Sequence, residues 1–521
     1  MYRYLKGIRV TLSLLFFIAI TFLFLDFAGL FGTSVFNGVT FLQFVPSVIK
    51  FFVIGGGLIA LGFVIILIIN LLVGRVYCST VCPLGIFQDV ITFFSKLFRK
   101  KKFRFKYSKP YNFLRYGILA IVVIAFLLGS VTLLALLDPY SIYGRFSSDF
   151  MRPLYILGNN LLAVIFEKLH IYAMYVVEIK HVNLLTLIIP AVFFVGIIWL
   201  AVTKGRLYCN TICPVGSFLG LVSKVSMFKL NIEDSSCTQC GKCAFACKSS
   251  CINIKTKEID FSRCVACYNC VKSCNTESVK YKFAWVPAKK ETIPPSTDKT
   301  KRDFLLKSAL ITVGAAGLTD VVKAVSNATA KLKPYKKKFL VTPPGSINVH
   351  HFAEKCTACH LCVSACPTGT LKPRFFESGI SGLLQPYMDQ SVNFCNFECV
   401  RCSEVCPTVA ILPLTVEKKK LTQVGVVNFV IDNCIVYTKN TACGSCSEHC
   451  PTQAVKMVPY KGKLTIPEVN QEICIGCGAC EYACPVRPYR AIYVDGNEFH
   501  KPAKKPESKK LDEKQIEEFP F

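Results

Sequence analysis

The sequence predicts a multi-domain chain in which an α-helical four-span transmembrane bundle precedes two cysteine-rich α+β domains. Three observations predict it. Apolar stretches long enough to cross a bilayer crowd the first 203 residues, the cysteines beyond residue 236 fall in short runs, and a Pro-containing linker divides those runs into two groups. Of the 521 residues, 52% are hydrophobic. The mean hydropathy of +0.44 is too high for an ordinary soluble protein.

A span needs about 20 helical residues. Four stretches meet this requirement, at 8–29, 51–74, 113–137 and 182–203. A fifth, 154–178, is broken by Asn159-Asn160, Glu167, Lys168 and His170, and reads as a helix lying at the interface. Arg3, Lys6, Arg9 and the lysine-rich 97–109 segment favour the cytoplasmic side. This places the N-terminus inside, 30–50 and 138–181 outside, and the chain after residue 203 inside. The formal charge is +28. Much of it is juxtamembrane, as in Arg99-Lys100-Lys101-Lys102 and Lys336-Lys337-Lys338, which suits a lipid bilayer rather than nucleic acid.

An internal repeat follows the second and fourth spans. Gly74-Arg75-Val76-Tyr77-Cys78-Ser79-Thr80-Val81-Cys82-Pro83-Leu84-Gly85 returns as Gly205-Arg206-Leu207-Tyr208-Cys209-Asn210-Thr211-Ile212-Cys213-Pro214-Val215-Gly216. Two hairpins of one orientation, each ending in a cysteine pair, imply a duplication about an axis normal to the membrane.

The 29 cysteines are too tightly spaced for a disulfide scaffold. Zinc sites use C-x-x-C pairs, whereas a [4Fe–4S] cubane takes four thiolates, three of them from one C-x-x-C-x-x-C loop. The first group has Cys237, Cys240, Cys243 and Cys247, then Cys264, Cys267, Cys270 and Cys274, with Cys251 in surplus. Lys248 and Asn275 stand where proline usually follows. Either Cys247 or Cys251 completes the ligand set, with Cys247 preferred. The second group has four runs: Cys356/Cys359/Cys362/Cys366, Cys395/Cys399/Cys402/Cys406, Cys434/Cys443/Cys446/Cys450 and Cys474/Cys477/Cys480/Cys484, each followed by proline. The fourth cysteine of a run often serves the partner cluster. A nested pairing is expected, first run with fourth and second with third. Cys356-Thr357-Ala358-Cys359-His360 also satisfies the haem c motif, but haem attachment would destroy the run that Cys362 and Cys366 complete.

The expected cofactors are therefore six [4Fe–4S] clusters held by these runs. At roughly −2 each when oxidised, they bring the charge to about +16. Cys78, Cys82, Cys209 and Cys213 leave three readings open: a seventh iron–sulfur centre, two redox-active disulfides, or small residues at tight helix ends. The expected domains are 1–225, the transmembrane part with both C-x-x-x-C-P repeats; 226–285, a two-cluster ferredoxin-like domain; 286–345, a linker; 346–500, a larger four-cluster ferredoxin-like domain; and 501–521, a charged tail.

On these motifs residues 1–280 resemble the NapH-type membrane ferredoxins, and about 300–498 resemble NapG/MauM-type ferredoxins. The matching residues are the two G-R-x-Y-C-x-T-x-C-P copies and the Cys237–Cys274 runs for the first, and the Cys356–Cys484 runs for the second. The resemblance implies quinol oxidation at a bacterial inner membrane, with electrons passed to a periplasmic redox partner such as a reductase or cytochrome. Thr300-Lys301-Arg302-Asp303-Phe304-Leu305-Leu306-Lys307 is similar to a twin-arginine export signal, and Ala328-Thr329-Ala330 to a signal-peptidase site. Export would place the C-terminal domain in the periplasm and leave the first ferredoxin cytoplasmic. Lys331, Lys333 and Lys336–Lys338 favour the opposite side. A quinol dehydrogenase would need a proton acceptor, for which His170, His181, Glu178 and Asp138 are candidates. The C-x-x-x-C-P motifs are also similar to those of CcoG-type metal-reducing assembly factors. A third expectation is a non-catalytic subunit wiring a larger complex.

Overall fold

A computed structural model describes residues 4–26, 29–57, 61–98, 104–179, 184–284, 335–375, 379 and 382–505. The export-like signal at 300–307, Ala328-Thr329-Ala330, Arg99–Lys102, His181 and the tail beyond residue 505 lie outside the described residues. The chain divides into a large unit of residues 1–285 and 336–521 and a small one of residues 286–335. Everything below concerns the large unit.

Helices α1 (Leu5–Leu25), α2 (Thr33–Phe41), α3 (Phe44–Ile54), α4 (Gly62–Val73), α5 (Tyr77–Thr80), α6 (Pro83–Phe98), α7 (Asn112–Leu127), α8 (Thr132–Leu137), α9 (Pro139–Phe146), α10 (Arg152–Lys168), α11 (Leu184–Lys204), α12 (Leu207–Thr211) and α13 (Pro214–Lys224) form the first part. A π-helical turn, Ser147–Met151, joins α9 to α10. α1 and α11, with 21 residues each, are long and apolar enough to cross a membrane. At 1.5 Å per residue each is about 31 Å long. α2 and α3, bent by 110°, add a third span if taken as one.

Among the described residues, the expectation of four full spans is therefore corrected to two, or three with the bent pair. Glycine is the physical reason. The predicted 51–74 span breaks at Gly55, Gly56 and Gly57, all at positive φ, leaving the 12-residue α4. The predicted 113–137 span stops at Leu128 before Gly129 (φ +83°), so α7 has 16 residues. Neither helix reaches the 30 Å of a hydrocarbon core. The 154–178 stretch is helical only to Lys168. Asn159 then bonds Tyr175 O (2.9 Å) and Asn160 bonds Val177 O (2.8 Å), which fold the following chain back along α10.

The domain after α13 is built on two antiparallel pairs. β1 (Phe228–Ile232) pairs with β4 (Val279–Phe283), and β2 (Ile252–Asn253) with β3 (Glu258–Ile259). Leu230, Ile232, Ile252, Phe261, Val271 and Val279 pack with its cysteines into one core. The C-terminal domain has β5 (Leu371–Pro373) with β6 (Pro386–Met388), β7 (Thr422–Phe429) with β10 (Ile492–Pro502), and β8 (Val455–Pro459) with β9 (Thr465–Val469), all antiparallel.

The two domains meet the N-terminal helices at opposite ends of α1. Leu5 packs on the core of the first. Asp26, just past the other end, pairs with Arg401 of the second at 3.5 Å. The first domain is also held by Arg75 and Arg115, which donate to Ser262 O at 3.0 and 2.8 Å, and by Arg206 N, which donates to Lys248 O at 3.0 Å. On the second, Arg145 donates to Ala358 O (3.4 Å), His360 Nδ1 meets Asp149 Oδ1 (3.1 Å), and Ser364 bonds Ser148 (3.3 Å).

Candidate iron–sulfur cages and the four-thiol site

Each strict C-x-x-C-x-x-C loop has the same backbone. The residues on both sides of the second cysteine have positive φ: Gln239 and Gly241, Ala266 and Tyr268, Ala358 and His360, Gly476 and Gly478. Left-handed steps on both sides of one ligand curl the loop, so three thiols face one point, and the third cysteine begins or lies in a five-residue helix. Non-glycine residues adopt this conformation at a cost. Its recurrence at four sites marks a shared geometric demand. Among the described residues, no three His, Cys, Asp or Glu side chains converge tightly enough to hold a single metal ion. Loops that face their thiols inward without collapsing them fit a multi-iron cluster better than zinc.

The thiols sort into six groups by their nearest charged neighbours. In the first domain Cys237 and Cys243 face Cys274, with Cys240 exposed between them in the run. Cys264, Cys267 and Cys270 face Cys247. Cys251 Sγ is 3.5 Å from Cys247 Sγ and also bonds Cys264. The Cys251 contact draws the Cys247 thiol down and pushes Cys251 up, so Cys247 is the readier thiolate.

In the second domain Cys356, Cys359 and Cys362 face Cys406, and Cys395 and Cys402 face Cys366. Cys434 and Cys446 face Cys484, and Cys474, Cys477 and Cys480 face Cys450. Cys399 and Cys443 sit beside their run neighbours. The runs thus pair first with second and third with fourth. The nested pairing expected from sequence is wrong, because each fourth cysteine crosses to the run next to it in the chain. Cys395 N donates to Cys477 O at 2.9 Å, so the two pairs abut. Four fourth-position cysteines have a threonine hydroxyl two residues on: Thr276, Thr368, Thr408 and Thr452, at 3.5–3.7 Å from sulfur.

The two repeats build a different site. Cys78, Cys82, Cys209 and Cys213 are all buried and lie within one another's fields. In each repeat proline opens a helix, α6 or α13, as is favourable at a first helical position. Cys213 therefore caps α13, accepting Gly216 N at 3.3 Å, and Cys82 accepts from Gly85 in the same way. Burial pushes the Cys82 and Cys213 thiols up, and the N–H bonds from Gly85 and Gly216 offset this in part. The repeats then brace each other. Arg75 donates to Cys209 O (3.1 Å) and Arg206 to Cys78 O. Glycine is required at 85 and 216, since a Cβ would sit 2.3 Å from Cys78 O or 2.2 Å from Cys209 O. Arg75 Nη2 also lies 3.7 Å from Cys78 Sγ, and Gln88 Nε2 3.3 Å from Cys209 Sγ. Four buried thiols with cationic and amide donors form a set that an iron–sulfur centre fits.

Ionic groups flank the four thiols on both sides. Toward the first domain, Asp89 bonds Arg9 (2.6 Å), Arg206 (2.9 Å) and Lys248 (3.2 Å). Burial alone would raise the Asp89 carboxyl, but Arg206, Lys248 and Arg9 hold it well below the carboxylate range, and Cys267 lies within its field. Toward the second, Tyr208, next to Cys209, donates to Leu137 O at 2.8 Å, beside Asp138. Burial pushes the Asp138 carboxyl up to about 6, against bonds from Ser141 and the charge of Arg145. Cys359 lies within the fields of Asp138 and Arg145. Gly144 packs so closely on Cys359 O that a Cβ there would be 2.4 Å away. Sequence reasoning quoted Arg75 and Arg206 only as pattern letters and missed Asp89, Asp149 and Arg145. The repeat's invariant arginine was the available signal, since a cation at an apolar helix end needs a partner.

Cysteine loops of this shape define an iron–sulfur electron-transfer protein of the ferredoxin type. Comparison with known proteins makes this particular. A family described as "4Fe-4S binding domain" matches residues 56–105 and 186–233, over the two repeats, and another of that description matches 349–372. A "4Fe-4S dicluster domain" family matches 439–487. Ferredoxin-type protein NapF of Escherichia coli K12 is 30% identical over 155 residues, 30% of this chain and 85% of that protein. NapG of the same strain is 28% identical over 192 residues, 35% and 80%. The methylamine utilization ferredoxin-type protein MauM of Methylorubrum extorquens is 32% identical over 198 residues, 36% and 84%. The chain belongs to this NapF/NapG/MauM family of ferredoxin-type proteins. No solved structure matches it.

Proposed function

We propose that the chain is a membrane-bound relay that carries single electrons between a quinol pool and a redox partner protein. It would do so through six [4Fe–4S] clusters and a seventh iron–sulfur centre at Cys78, Cys82, Cys209 and Cys213. Bound clusters would supply one-electron transfer, and the protein would set distance and potential through burial and bonds to sulfur. One observation carries the reading: the residues around the four thiols reach both domains, through Arg75 to Ser262 O and Asn210 to Ser249 O on one side and through Tyr208 to Leu137 O and the neighbouring Arg145 to Ala358 O on the other. Successive neighbours then run from the Cys237 cage through the Cys264 cage, the four thiols and the Cys356 cage to the remaining three. With the first domain cytoplasmic and the second periplasmic, such a series crosses the bilayer.

A cavity of about 260 Å³ supports the quinol part of the proposal. It lies between the π-turn, α10, the start of α11 and the second domain. Asp149, Arg152, Thr186 and Ser364 line it. Asp149 Oδ2 and Arg152 Nε have no hydrogen-bond partner, and Arg152 lies in the field of Cys366. Asp149 is better placed to bond a quinol head than the acceptors considered from sequence. Asp138 is buried and bonded to Ser141, while His170 and Glu178 are exposed.

Iron and acid-labile sulfide analysis with EPR tests the cluster count. The proposal expects about 28 iron atoms for a four-iron seventh centre or about 26 for a two-iron centre, and about 24 would remove the seventh. Cluster reduction by a menaquinol analogue in lipid tests the quinol part, and its absence would exclude that part.

A further inference from the structure

A second cavity of about 260 Å³ opens where the first iron–sulfur domain meets the membrane helices. Its walls are the Arg104–Tyr111 strap, the last turn of α11, α12, and the Ser249–Ser250 and Arg263 loops of the domain. Five cations line it (Arg104, Lys106, Lys109, Lys204 and Arg263), and none of its lining residues is acidic. The rim lysines are exposed, but the floor is built. The Arg263 side chain is only 5% exposed. Its Nε is held by Asp260 (2.6 Å) and its Nη1 donates to Ser108 O (2.8 Å), while Nη2 has no partner. Ser249, 6% exposed, has an Oγ that is likewise unpartnered. Leaving buried donors unmade is costly, and an acceptor placed here would satisfy both.

We propose that this pocket binds a phosphate group. Arg263 Nη2 and Ser249 Oγ bond its oxygens from below, and Lys106, Lys109 and Lys204 surround it at the rim. Lys204 ends the membrane-length helix α11, so the pocket sits at headgroup level, where basic pockets recruit anionic phospholipids. Tyr107, whose ring lies 5.6 Å from the Arg263 guanidinium, gives an apolar wall suited to a lipid's glycerol end. The pocket also reaches the four-thiol site through Asn210, which bonds Ser249 O (3.4 Å) and Arg75 (2.9 Å). A bound phosphate would clamp the domain to the membrane helices at the thiols.

The test is native mass spectrometry of the full, cluster-loaded chain after detergent exchange. The chain is taken from vesicles of phosphatidylcholine alone or with about one-fifth phosphatidylglycerol, with and without millimolar inorganic phosphate. The expected result is one retained phosphatidylglycerol per chain, weakened about 100-fold in a Lys106→Gln/Lys109→Gln/Lys204→Gln variant. That variant spares the buried floor and keeps the fold. Ser249→Ala should weaken retention less, and Lys418→Gln in the second domain not at all. Binding of inorganic phosphate without lipid retention would assign the same site to the free anion. Equal retention of neutral and anionic lipid, with no phosphate adduct, would overturn the proposal. So would triple-variant binding equal to wild type.

Discussion

The two cysteine-rich domains dock on the same N-terminal helices with different emphasis. The first is gripped chiefly by guanidinium groups that reach out of the helical part to backbone carbonyls, with Arg75 and Arg115 sharing Ser262 O, beside one ion pair from Asp89 to Lys248. The second is gripped by carboxylates, Asp26 to Arg401 and Asp149 to His360, beside one guanidinium contact from Arg145 to Ala358 O. A carbonyl contact is indifferent to the side chain that carries it, whereas a charge pair selects its partner. The first attachment is continuous with the Arg75–Arg206 brace around the four thiols.

The sharpest way to break the comparison is to uncouple the two domains without unfolding either. A Cys78→Ser/Cys209→Ser pair removes two thiols from the middle site and leaves all six cages untouched. Iron per chain should fall to about 24, and a reductant confined to one side of sealed vesicles should reduce only that side's cages. EPR of both domains reads this directly. Reduction of both domains at the wild-type rate would show that the four thiols lie off the path.

Asp89→Asn comes next. It strips the carboxylate from between Arg9, Arg206 and Lys248, leaving buried cations uncompensated, which costs about 3–5 kcal/mol. The loss should fall on the first domain, read as earlier thermal bleaching of its clusters, with the second unchanged. Arg145→Met is the counterpart on the other side. It orphans Ala135 O, Leu136 O and Ala358 O, costs about 3 kcal/mol, and should loosen the second domain alone. Protease sensitivity of each junction distinguishes the two.

The cages were legible in the sequence because their ligands come from runs of a dozen residues whose loop shape is local. The left-handed steps at Ala266 and Tyr268 or Ala358 and His360 follow from the spacing alone. The spans were less legible. An apolar window cannot see that Gly55–Gly57 or Gly129 turns the chain, and both predicted spans were broken there. Pairing of the runs was not legible at all, since it depends on how β7 and β10 fold the third and fourth runs together. The repeat pointed to the four cysteines, but their bracing depends on tertiary contacts between residues 121 or more apart in the chain, such as Arg75 with Cys209 and Gln88 with Cys209.

The smaller effects refine the same contrast. Thr408 lies 3.7 Å from Cys406, in the cage next to Asp138 and Arg145, and Thr276 lies 3.5 Å from Cys274, which groups with Cys237 and Cys243 in the first domain. A hydroxyl bond to sulfur stabilises the more negative, reduced cluster, so Thr408→Val and Thr276→Val should each lower one potential by on the order of tens of mV. In a redox titration, the first should slow transfer between the domains and the second should not.

Smallest of all is Arg401→Ala. Arg401 pairs with Asp26 at 3.5 Å and donates to Phe31 O at 2.7 Å, but its side chain is 20% exposed and also pairs with Glu404. Partial exposure screens such a pair, so the substitution should cost about 1 kcal/mol or less and leave iron content and transfer unchanged. Its value is as a contrast with Arg145. If the second domain is held chiefly by Arg145 and the Asp149–His360 pair, Arg401→Ala will alter only the salt dependence of docking, read as protease sensitivity across a salt series. Undocking by Arg401→Ala at low salt would mean that the rim charges hold this domain, and that its attachment is electrostatic throughout.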